Sequence, residues 1–336
     1  MVTIKQIATA TGVSSSTVSR VLNSDMTLSV SDNTRQKVID TAKQLNYIKK
    51  AKKNEKQKAI HICVLTVFSE SREARDTYWR QIYMGIEKAA YQSGVLIDEI
   101  IRIDQGVDAM LLGNFDAVII LGNISEEAIT KIREINHNIV LVDSTVHYDD
   151  VTAVNPELSQ MTYRILDELY GNGRRHIGFI GGDNDVLELD GTSKSKINDP
   201  RFDSYHEWMS LKQLQPQSFI GDWRPETGSQ GTVKLLADGN IIDALVVASD
   251  PIAIGAISIL KNYGLEPGKD IDIVSFDNLD IVAYIIPPLT TVELSPLALG
   301  KTALAQAIEL SSAAHDWTNW TTIPSSLKYR ETFKLK

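Results

Sequence analysis

Residues 3–23 have the sequence TIKQIATATGVSSSTVSRVLN, which predicts two short helices joined by a tight turn. Thr3 can cap the first helix, and Gln6 stands three residues later, where it completes a capping box. Gly12 interrupts the helical pattern, and glycine adopts the positive φ of a sharp turn without steric strain. A second helix capped by Ser14 follows, so the segment has the pattern of a helix-turn-helix.

The second helix of this pair carries short or polar side chains along its N-terminal half. When such a helix lies in the major groove of DNA, this half contacts the base edges. Short side chains allow a close approach, and an arginine can pair with a guanine or a phosphate. A helical hairpin with a purely structural role is the alternative. The side chains concerned are Ser15, Ser16, Thr17, Ser19 and Arg20.

Charge is unevenly distributed along the chain. Residues 1–58 contain eleven Lys and Arg but four Asp and Glu, a net charge of about +7, whereas the whole chain of 336 residues carries −9. A basic head on an acidic body indicates that the head contacts a polyanion and the body does not. A lysine cluster alone is also compatible with a solvated surface, so the helix-turn-helix pattern is what favours DNA.

The rest of the head is also helical. A third helix is predicted to begin near Ser31. Residues 49–58, KKAKKNEKQK, are polar and basic and predict a linker without an apolar face. We therefore expect a three-helix DNA-binding domain over 1–48 and a basic linker over 49–58. The third helix is expected to bury Val38, Ile39, Ala42 and Leu45.

From Ala59 onward, apolar strand patterns alternate with amphipathic helices, which predicts parallel α/β sheets. More than 270 residues are too many for one such sheet, so two lobes are expected. The predicted first lobe spans 59–157 and 290–318, and the second spans 158–289 and 319–336. The strand candidates are Ile60–Phe68, Val95–Ile101, Ala117–Leu121, Ile139–Val142, His176–Ile180, Ala244–Ala248 and Ile271–Phe276, with a final strand pair within Trp320–Phe333.

Several functional classes lack their signatures in this sequence. Cys63 is the only cysteine, so no disulfide can form within the chain. The sequence contains no signal-peptide pattern, no apolar run long enough to cross a bilayer, no zinc-ligand cluster and no GxSxG motif. We therefore expect a cytoplasmic protein that is not an enzyme, needs no metal or cofactor, and does not associate with membranes.

The stretch TIKQIATATGVSSSTVSRVLN resembles the N-terminal signature of the LacI/GalR family of transcription regulators. The resemblance implies base contacts from Ser15, Ser16 and Arg20. It also implies phosphate contacts from Ser14, Thr17, Asn23 and Ser31.

The linker departs from the family pattern. Family members usually carry a leucine in a short helix here, and in a dimer two such leucines enter the minor groove and kink the DNA. Residues 48–58 contain no leucine. We therefore expect this protein to bind its site more through lysine–phosphate contacts, so that affinity falls steeply with salt. Strong DNA bending, with affinity that barely changes between low and moderate salt, would contradict this expectation.

Residues 59–336 resemble the effector domain of the same family, whose fold is similar to that of periplasmic sugar-binding proteins. Four stretches carry the resemblance, and the last two are most similar to the galactose and evolved-β-galactosidase repressor subgroup. They are HIGFIGG at 176–182, VASDPIAIG at 247–255, SFDN at 275–278 and PPLTTV at 287–292.

Candidate ligand-binding residues follow the predicted strands, because open α/β sheets bind ligands beyond the carboxyl ends of their strands. Asp143, Ser249, Asp250 and Asp277 stand at such positions. Carboxylates there could bind sugar hydroxyl groups, or they could simply cap the following helices.

The resemblance adds four further candidates and strengthens one. Arg201 matches the effector-contacting arginine of the family, and Asp277 matches its partner carboxylate across the pocket. Trp223 matches a tryptophan that packs on the ligand. Tyr78 and Trp79 stand where the first lobe contributes to the cleft. A surface arginine and a core tryptophan are the structural alternatives.

Taken together, these features predict a homodimeric repressor that binds a near-palindromic operator DNA. In such a dimer the two heads lie about 34 Å apart, one helical turn of DNA. A sugar, galactose or a galactoside, is expected to bind between the lobes and release the DNA. Three alternatives remain: a regulator controlled by a phosphoprotein corepressor, a sugar receptor without DNA function, and a sugar-processing enzyme.

Overall fold

The computed structural model describes residues 2–23, 28–45, 47, 59–237, 241–312 and 317–335. The chain forms two compact units, Met1–Lys58 and Ala59–Lys336. The predicted linker at 49–58 lies outside the described residues. The expectation that lysine–phosphate contacts replace the family's leucine therefore stays a prediction.

The described residues of the first unit form three helices around a small apolar core. They are α1 (Ile4–Thr11), α2 (Ser15–Leu22) and α3 (Asp32–Gln44). The prediction that Leu45 is buried is wrong: α3 ends at Gln44, and Leu45 is 38% exposed. The buried core residues are Ile7, Ala8, Val18, Val21, Val38 and Ala42.

Local hydrogen bonds fix the ends of these helices as the sequence predicts. The Thr3 hydroxyl accepts from the Gln6 backbone N–H, and the Gln6 side chain accepts from the Thr3 N–H at 2.9 Å. The Ser14 hydroxyl accepts from the Thr17 N–H at 3.1 Å. Gly12 ends α1 with φ of 76°, the left-handed conformation that the turn requires.

Replacing Gly12 by alanine is expected to destabilise the first unit by about 1 kcal/mol. The cost is conformational, because L-residues are strained at positive φ, whereas no atom lies within 4 Å of a Cβ built at this position. Thermal unfolding monitored for this unit would measure the loss. Gly12→Asn is the matched control, since asparagine tolerates this conformation better, and equal losses in both variants would contradict the explanation.

The second unit is built on two six-stranded sheets, as predicted for a two-lobed α/β fold. The strands of the first sheet are β1 (His61–Thr66), β2 (Leu96–Arg102), β3 (Ala117–Leu121), β4 (Ile139–Val142), β5 (Thr152–Pro156) and β13 (Trp320–Ile323). Their order across the sheet is β13-β5-β4-β3-β1-β2, and all neighbouring strands are parallel.

The strands of the second sheet are β6 (Ile177–Gly182), β9 (Gln217–Gly221), β10 (Ala244–Val247), β11 (Asp272–Phe276), β12 (Thr290–Glu293) and β14 (Ser326–Lys328). Their order across the sheet is β14-β12-β11-β10-β6-β9, in which only β14 is antiparallel to its neighbour. A separate antiparallel hairpin is formed by β7 (Asn184–Leu187) and β8 (Ser193–Ile197).

Helices connect the strands of both sheets. Short 3₁₀ turns lie at Ile103–Gln105, Ala109–Asn114, Lys261–Tyr263 and Asp280–Ala283. The α-helices are α4 (Glu70–Arg75), α5 (Thr77–Ser93), α6 (Glu126–Arg133), α7 (Leu158–Gly171), α8 (Pro200–Leu211), α9 (Pro225–Leu235), α10 (Asp250–Leu260) and α11 (Pro296–Ser312).

Two of the predicted lobe limits are wrong. The chain was expected to return to the first lobe at residue 290. β12 instead pairs with β11 and β14 in the sheet of the second lobe, so the chain returns to the first lobe after Glu293. The limit at 318/319 is wrong as well, because β13 was expected in the second lobe but joins the first sheet beside β5. The expected strand pair near the C-terminal end does not form, since Pro324 follows β13 and β14 joins the second sheet.

No helix in the described part of the chain is both long enough and apolar enough to span a membrane.

Candidate functional site

A cleft of about 100 Å³ is enclosed between the two sheets of the second unit. The carboxyl ends of β4, β10 and β11 open into it, as expected for an open α/β fold. The structure brings seven of the eight predicted effector residues to its walls. They are Tyr78, Trp79, Asp143, Arg201, Trp223, Ser249 and Asp277.

Arg201 is a fixed, buried cation in this cleft. It lies in the first turn of α8, where Asp199 is the N-cap. The Arg201 guanidinium donates from Nε to Asp199 Oδ1 at 2.6 Å and from Nη2 to Asp199 Oδ2 at 2.8 Å. Its Nη1 donates to the carbonyl oxygen of Ala248 at 2.7 Å. This bidentate pair holds the guanidinium plane in one orientation.

Aromatic rings surround the guanidinium. Its carbon lies 5.1 Å from the ring centroid of Trp223 and 5.2 Å from that of Phe276. The indole N–H of Trp223 donates to the carbonyl oxygen of Asp183 at 2.7 Å. The ring also lies against Gly182, where a Cβ would come within 2.5 Å of it. The indole is thus held in one place, with one surface on the cleft.

Four more carboxyl groups, those of Asp76, Asp143, Asp185 and Asp277, line the same cleft. Burial raises the pKa of Asp143 to about 6, although Arg201 and Tyr78 act in the opposite direction. Burial raises the pKa of Asp277 well above its ordinary value, and the nearby Asp250 and Asp76 carboxylates add to this shift. Burial also raises the pKa of Asp76. The two arginines that line the cleft, Arg201 and Arg72, therefore do not compensate all the acidic groups.

The backbone at two of these carboxylates is unusual for residues other than glycine. Asp143 has φ of 50° and Asp277 has φ of 105°. Such conformations are costly and persist where the surrounding structure imposes them. Both residues follow a strand directly, and the turn directs their carboxyl groups into the cleft.

Tyr78 supplies a buried hydroxyl group. Its side chain is 5% exposed, and among the described residues its hydroxyl interacts with the Asp143 carboxyl group without a hydrogen bond of good geometry. A poorly bonded buried hydroxyl costs free energy unless a ligand or water satisfies it. The cleft therefore offers a hydroxyl, several carboxyl groups and an aromatic face, which is a set of groups suited to a polyhydroxylated ligand.

Asp250, the eighth predicted effector residue, does not line the cleft. It is fully buried at the start of α10, where it accepts hydrogen bonds from the Ser275 hydroxyl, the Thr291 hydroxyl (2.7 Å) and the Leu279 N–H (2.8 Å). The Asp250 N–H lies 3.4 Å from Asp277 Oδ2 and donates to it. Asp250 thus holds the turn that presents Asp277, while Ser249 caps α10.

Sequence reasoning missed several residues of the cleft wall. Asp76 and Asp199 are the N-caps of α5 and α8, and each precedes a predicted site residue by two positions. That spacing was an available signal. Asn184, Asp185 and Leu187 gave no signal, because they lie on a hairpin that the apolar patterns did not predict.

The first unit presents the predicted DNA-contacting face. Within α2 and its cap, the Ser14 hydroxyl lies 2.7 Å from that of Ser16 and 2.9 Å from that of Thr17. Ser31 caps α3 by accepting from the Thr34 N–H. Thr17 is half-buried, and the other predicted residues are exposed: Ser14, Ser15, Ser16, Arg20, Asn23 and Ser31.

Comparison with known proteins identifies this architecture. Residues 3–50 match the family described as bacterial regulatory proteins, lacI family, and residues 166–333 match the periplasmic binding protein-like domain. The chain is 32% identical to the transcriptional regulator GanR of Bacillus subtilis, with 92% of both chains covered. The chain belongs to the LacI family of bacterial transcription regulators. The HTH-type transcriptional regulator GalR of Streptococcus thermophilus is 31% identical, with 90% of this chain and 91% of that protein covered.

Solved LacI-family structures share the fold over nearly the whole length. The Lac repressor dimer bound to operator and the anti-inducer ONPF is 25% identical, with a TM-score of 0.66 and 98% of both chains covered. The complex of the regulator CelR with cellobiose has a TM-score of 0.67 at 20% identity, covering 99% of this chain and 100% of that chain.

Proposed function

We propose that this LacI-family chain is a homodimeric repressor of sugar-utilisation genes that a sugar releases from a near-palindromic operator. The observation that carries the proposal is the cleft, in which Arg201, Trp223 and several buried carboxyl groups lie together. The same chain also contains the helix-turn-helix. A sugar can release DNA only if it binds one arrangement of the lobes better than another.

The first unit supports the DNA part of the proposal. Its exposed serines on α2 permit close approach to a groove, and Arg20 supplies a donor for a guanine or a phosphate. Ser14 and Ser31 cap helices, so their backbone N–H groups lie where phosphate oxygens bind. The relative solved as a dimer on its operator supports a two-fold arrangement for this chain as well.

The effector part rests on the chemistry of the cleft. Carboxylates accept hydrogen bonds from sugar hydroxyl groups, and the indole of Trp223 offers an apolar face to a sugar ring. We propose galactose or a galactoside as the effector, because SFDN at 275–278 and PPLTTV at 287–292 resemble the galactose-repressor subgroup.

The experiment that tests the function is a gel shift with the purified full chain. Duplexes would first be selected from a random-sequence pool by the protein itself, then tested with and without sugars. We expect a shifted band that galactose or a galactoside abolishes. A shift that responds only to a phosphorylated partner protein would support the corepressor alternative, and no shift on any duplex would contradict the regulator proposal.

Effector affinity is expected to fall as the pH drops below about 6. Sugar hydroxyl groups donate to carboxylates, so binding favours the ionised form of Asp143. Because the pKa of Asp143 is raised to about 6, the group is ionised above that pH, and its ionised fraction falls about tenfold per pH unit below it. Calorimetric titrations from about pH 5 to about pH 7.5 would measure the slope.

The control for this pH dependence is Asp143→Asn, whose amide does not titrate. Its residual affinity should vary less with pH than that of the unmodified protein. Sugar affinity that is constant across the range in the unmodified protein would show that Asp143 is not a binding group.

A further inference from the structure

The hairpin of β7 and β8 belongs to the second lobe by its position in the chain but docks into the first lobe. It follows β6 directly, yet Leu187 and Leu189 are buried in the apolar core of the first lobe. The Leu187 N–H donates to the carbonyl oxygen of Asn123 at 3.2 Å, and the Ser125 N–H donates to that of Leu187 at 2.9 Å. β7 thus pairs with backbone beyond the end of β3.

The tip of the hairpin is anchored a second time. The Val107 N–H donates to the carbonyl oxygen of Leu189 at 2.7 Å. Gly191, with φ of 85°, packs so closely on the first lobe that a Cβ would lie 2.7 Å from the Ile103 carbonyl oxygen. The Lys194 ammonium pairs with Glu127 of α6 at 3.1 Å. These contacts fix the hairpin to the first lobe through both backbone and side chains.

The base of the same hairpin forms part of the cleft wall. Asn184, Asp185 and Leu187 all line the cleft. The Asn184 amide donates to Asp199 Oδ2 at 3.3 Å, the same oxygen that Arg201 Nη2 binds. The Ser193 hydroxyl donates to Asp185 Oδ1 at 2.9 Å and orients that carboxylate from the opposite strand.

We propose that this hairpin is a specificity element of the effector site, in which the polar side chains of Asn184 and Asp185 bind hydroxyl groups of the sugar. The inference rests on the proposed sugar-binding function. Because Asn184 and Arg201 both donate to Asp199, the Asn184 amide keeps a fixed position relative to Arg201. A rigid polar wall rejects a sugar that lacks or misplaces a hydroxyl group, since a buried acceptor or donor then stays unpaired.

The chemistry of the two residues defines what they select. An amide both donates and accepts, whereas a carboxylate only accepts. Asn184 and Asp185 therefore suit vicinal hydroxyl groups on an uncharged sugar. Asp185 disfavours a phosphate or carboxylate at the same position, because it would place two anions together.

The test compares Asn184→Ala and Asp185→Asn with the unmodified full chain. Dissociation constants would be measured by calorimetry for galactose, methyl β-galactoside, glucose and 2-deoxygalactose. We expect the ratio of the dissociation constants of the weaker sugars to that of the best sugar to fall by about tenfold or more in at least one variant. Thermal unfolding without ligand would verify that the variants fold.

Ser195→Ala is the matched control on the same hairpin. Ser195 is exposed, lies opposite Val186 and does not line the cleft, so its substitution should leave the ratios of the dissociation constants unchanged. Leu189→Ala weakens docking of the hairpin tip. It should lower the affinity for all sugars by a similar factor and preserve the order of their affinities.

Two outcomes would contradict different proposals. Ratios that stay the same in both Asn184→Ala and Asp185→Asn, while the unmodified protein binds sugar, would overturn the role of the hairpin alone. If the unmodified protein bound none of the four sugars, the proposed galactose-type effector would be wrong.

Discussion

The variant Arg201→Ala is expected to remain on its operator at sugar concentrations that release the unmodified protein. The guanidinium is buried, held by Asp199 and aimed into the cleft, so its loss removes a fixed donor and leaves a carboxylate uncompensated. A hydrogen bond from a charged donor to an uncharged ligand group contributes about 1.5–3 kcal/mol. Its removal corresponds to a loss of sugar affinity of roughly 10- to 150-fold.

The same substitution should also lower the stability of the second unit. Breaking a buried ion pair on one side costs about 3–5 kcal/mol. Thermal unfolding without sugar would report this loss, and calorimetry with galactose would report the binding loss. A sugar response of normal size in the variant would contradict the assignment of the cleft.

Arg175→Ala is the matched control for Arg201→Ala. Arg175 is exposed and stacks on Tyr170, with 3.6 Å between its guanidinium carbon and the ring centroid. It does not line the cleft. Its removal should leave the sugar response intact. Arg201→Lys separates charge from geometry, because lysine keeps the charge but cannot form the bidentate pair.

The variant Arg20→Ala is expected to lose most of its preference for the selected operator. An arginine that pairs with a guanine contributes about 1–3 kcal/mol of discrimination, so specific affinity should fall about 10- to 100-fold. Affinity for unrelated duplex should change little. Gel shifts on operator, on single-base variants and on unrelated DNA would measure both quantities.

The pattern of losses distinguishes the possible roles of Arg20. Equal losses on operator and unrelated DNA would show that it contacts a phosphate and reads no base. Arg164→Ala removes an exposed arginine of α7, which pairs with Glu168 at 3.0 Å, and should change neither affinity. A weakened shift in that control would indicate a general effect of net charge.

Features governed by neighbouring residues were predictable from the sequence. The caps at Thr3 and Ser14 depend on hydrogen bonds between residues three positions apart, and the turn depends on one glycine. β3 and β4 were predicted with their observed limits, because strands buried on both faces have continuous apolar runs.

Features set by distant pairing were not predictable in this way. β8 has the sequence SKSKI, and four of its five residues are exposed, so it carries no apolar pattern. Its strand conformation depends on pairing with β7 and on the docking of the hairpin tip. β13 and β14 were expected to pair with each other because they are adjacent in sequence, whereas each joins a different sheet.

The candidate site shows the same division. Asp250 and Asp277 both follow buried strands, and the sequence gives no means to tell which carboxylate enters the cleft. The structure separates them because Ser275, Thr291 and Leu279 saturate the Asp250 carboxylate. The wall formed by Asn184 likewise depends on the three-dimensional arrangement, whereas Asp199 stands two positions before Arg201 and that spacing was an available signal.

The placement of β13 and β14 has a consequence for synthesis in the cell. A ribosome makes the chain from its N-terminus, so each sheet lacks an edge strand until residues 320–328 have been translated. The cleft between the sheets can reach its final form only after these residues have emerged from the ribosome. A product of translation interrupted before residue 320 would therefore contain α1, α2 and α3 attached to a second unit that lacks one edge strand in each sheet.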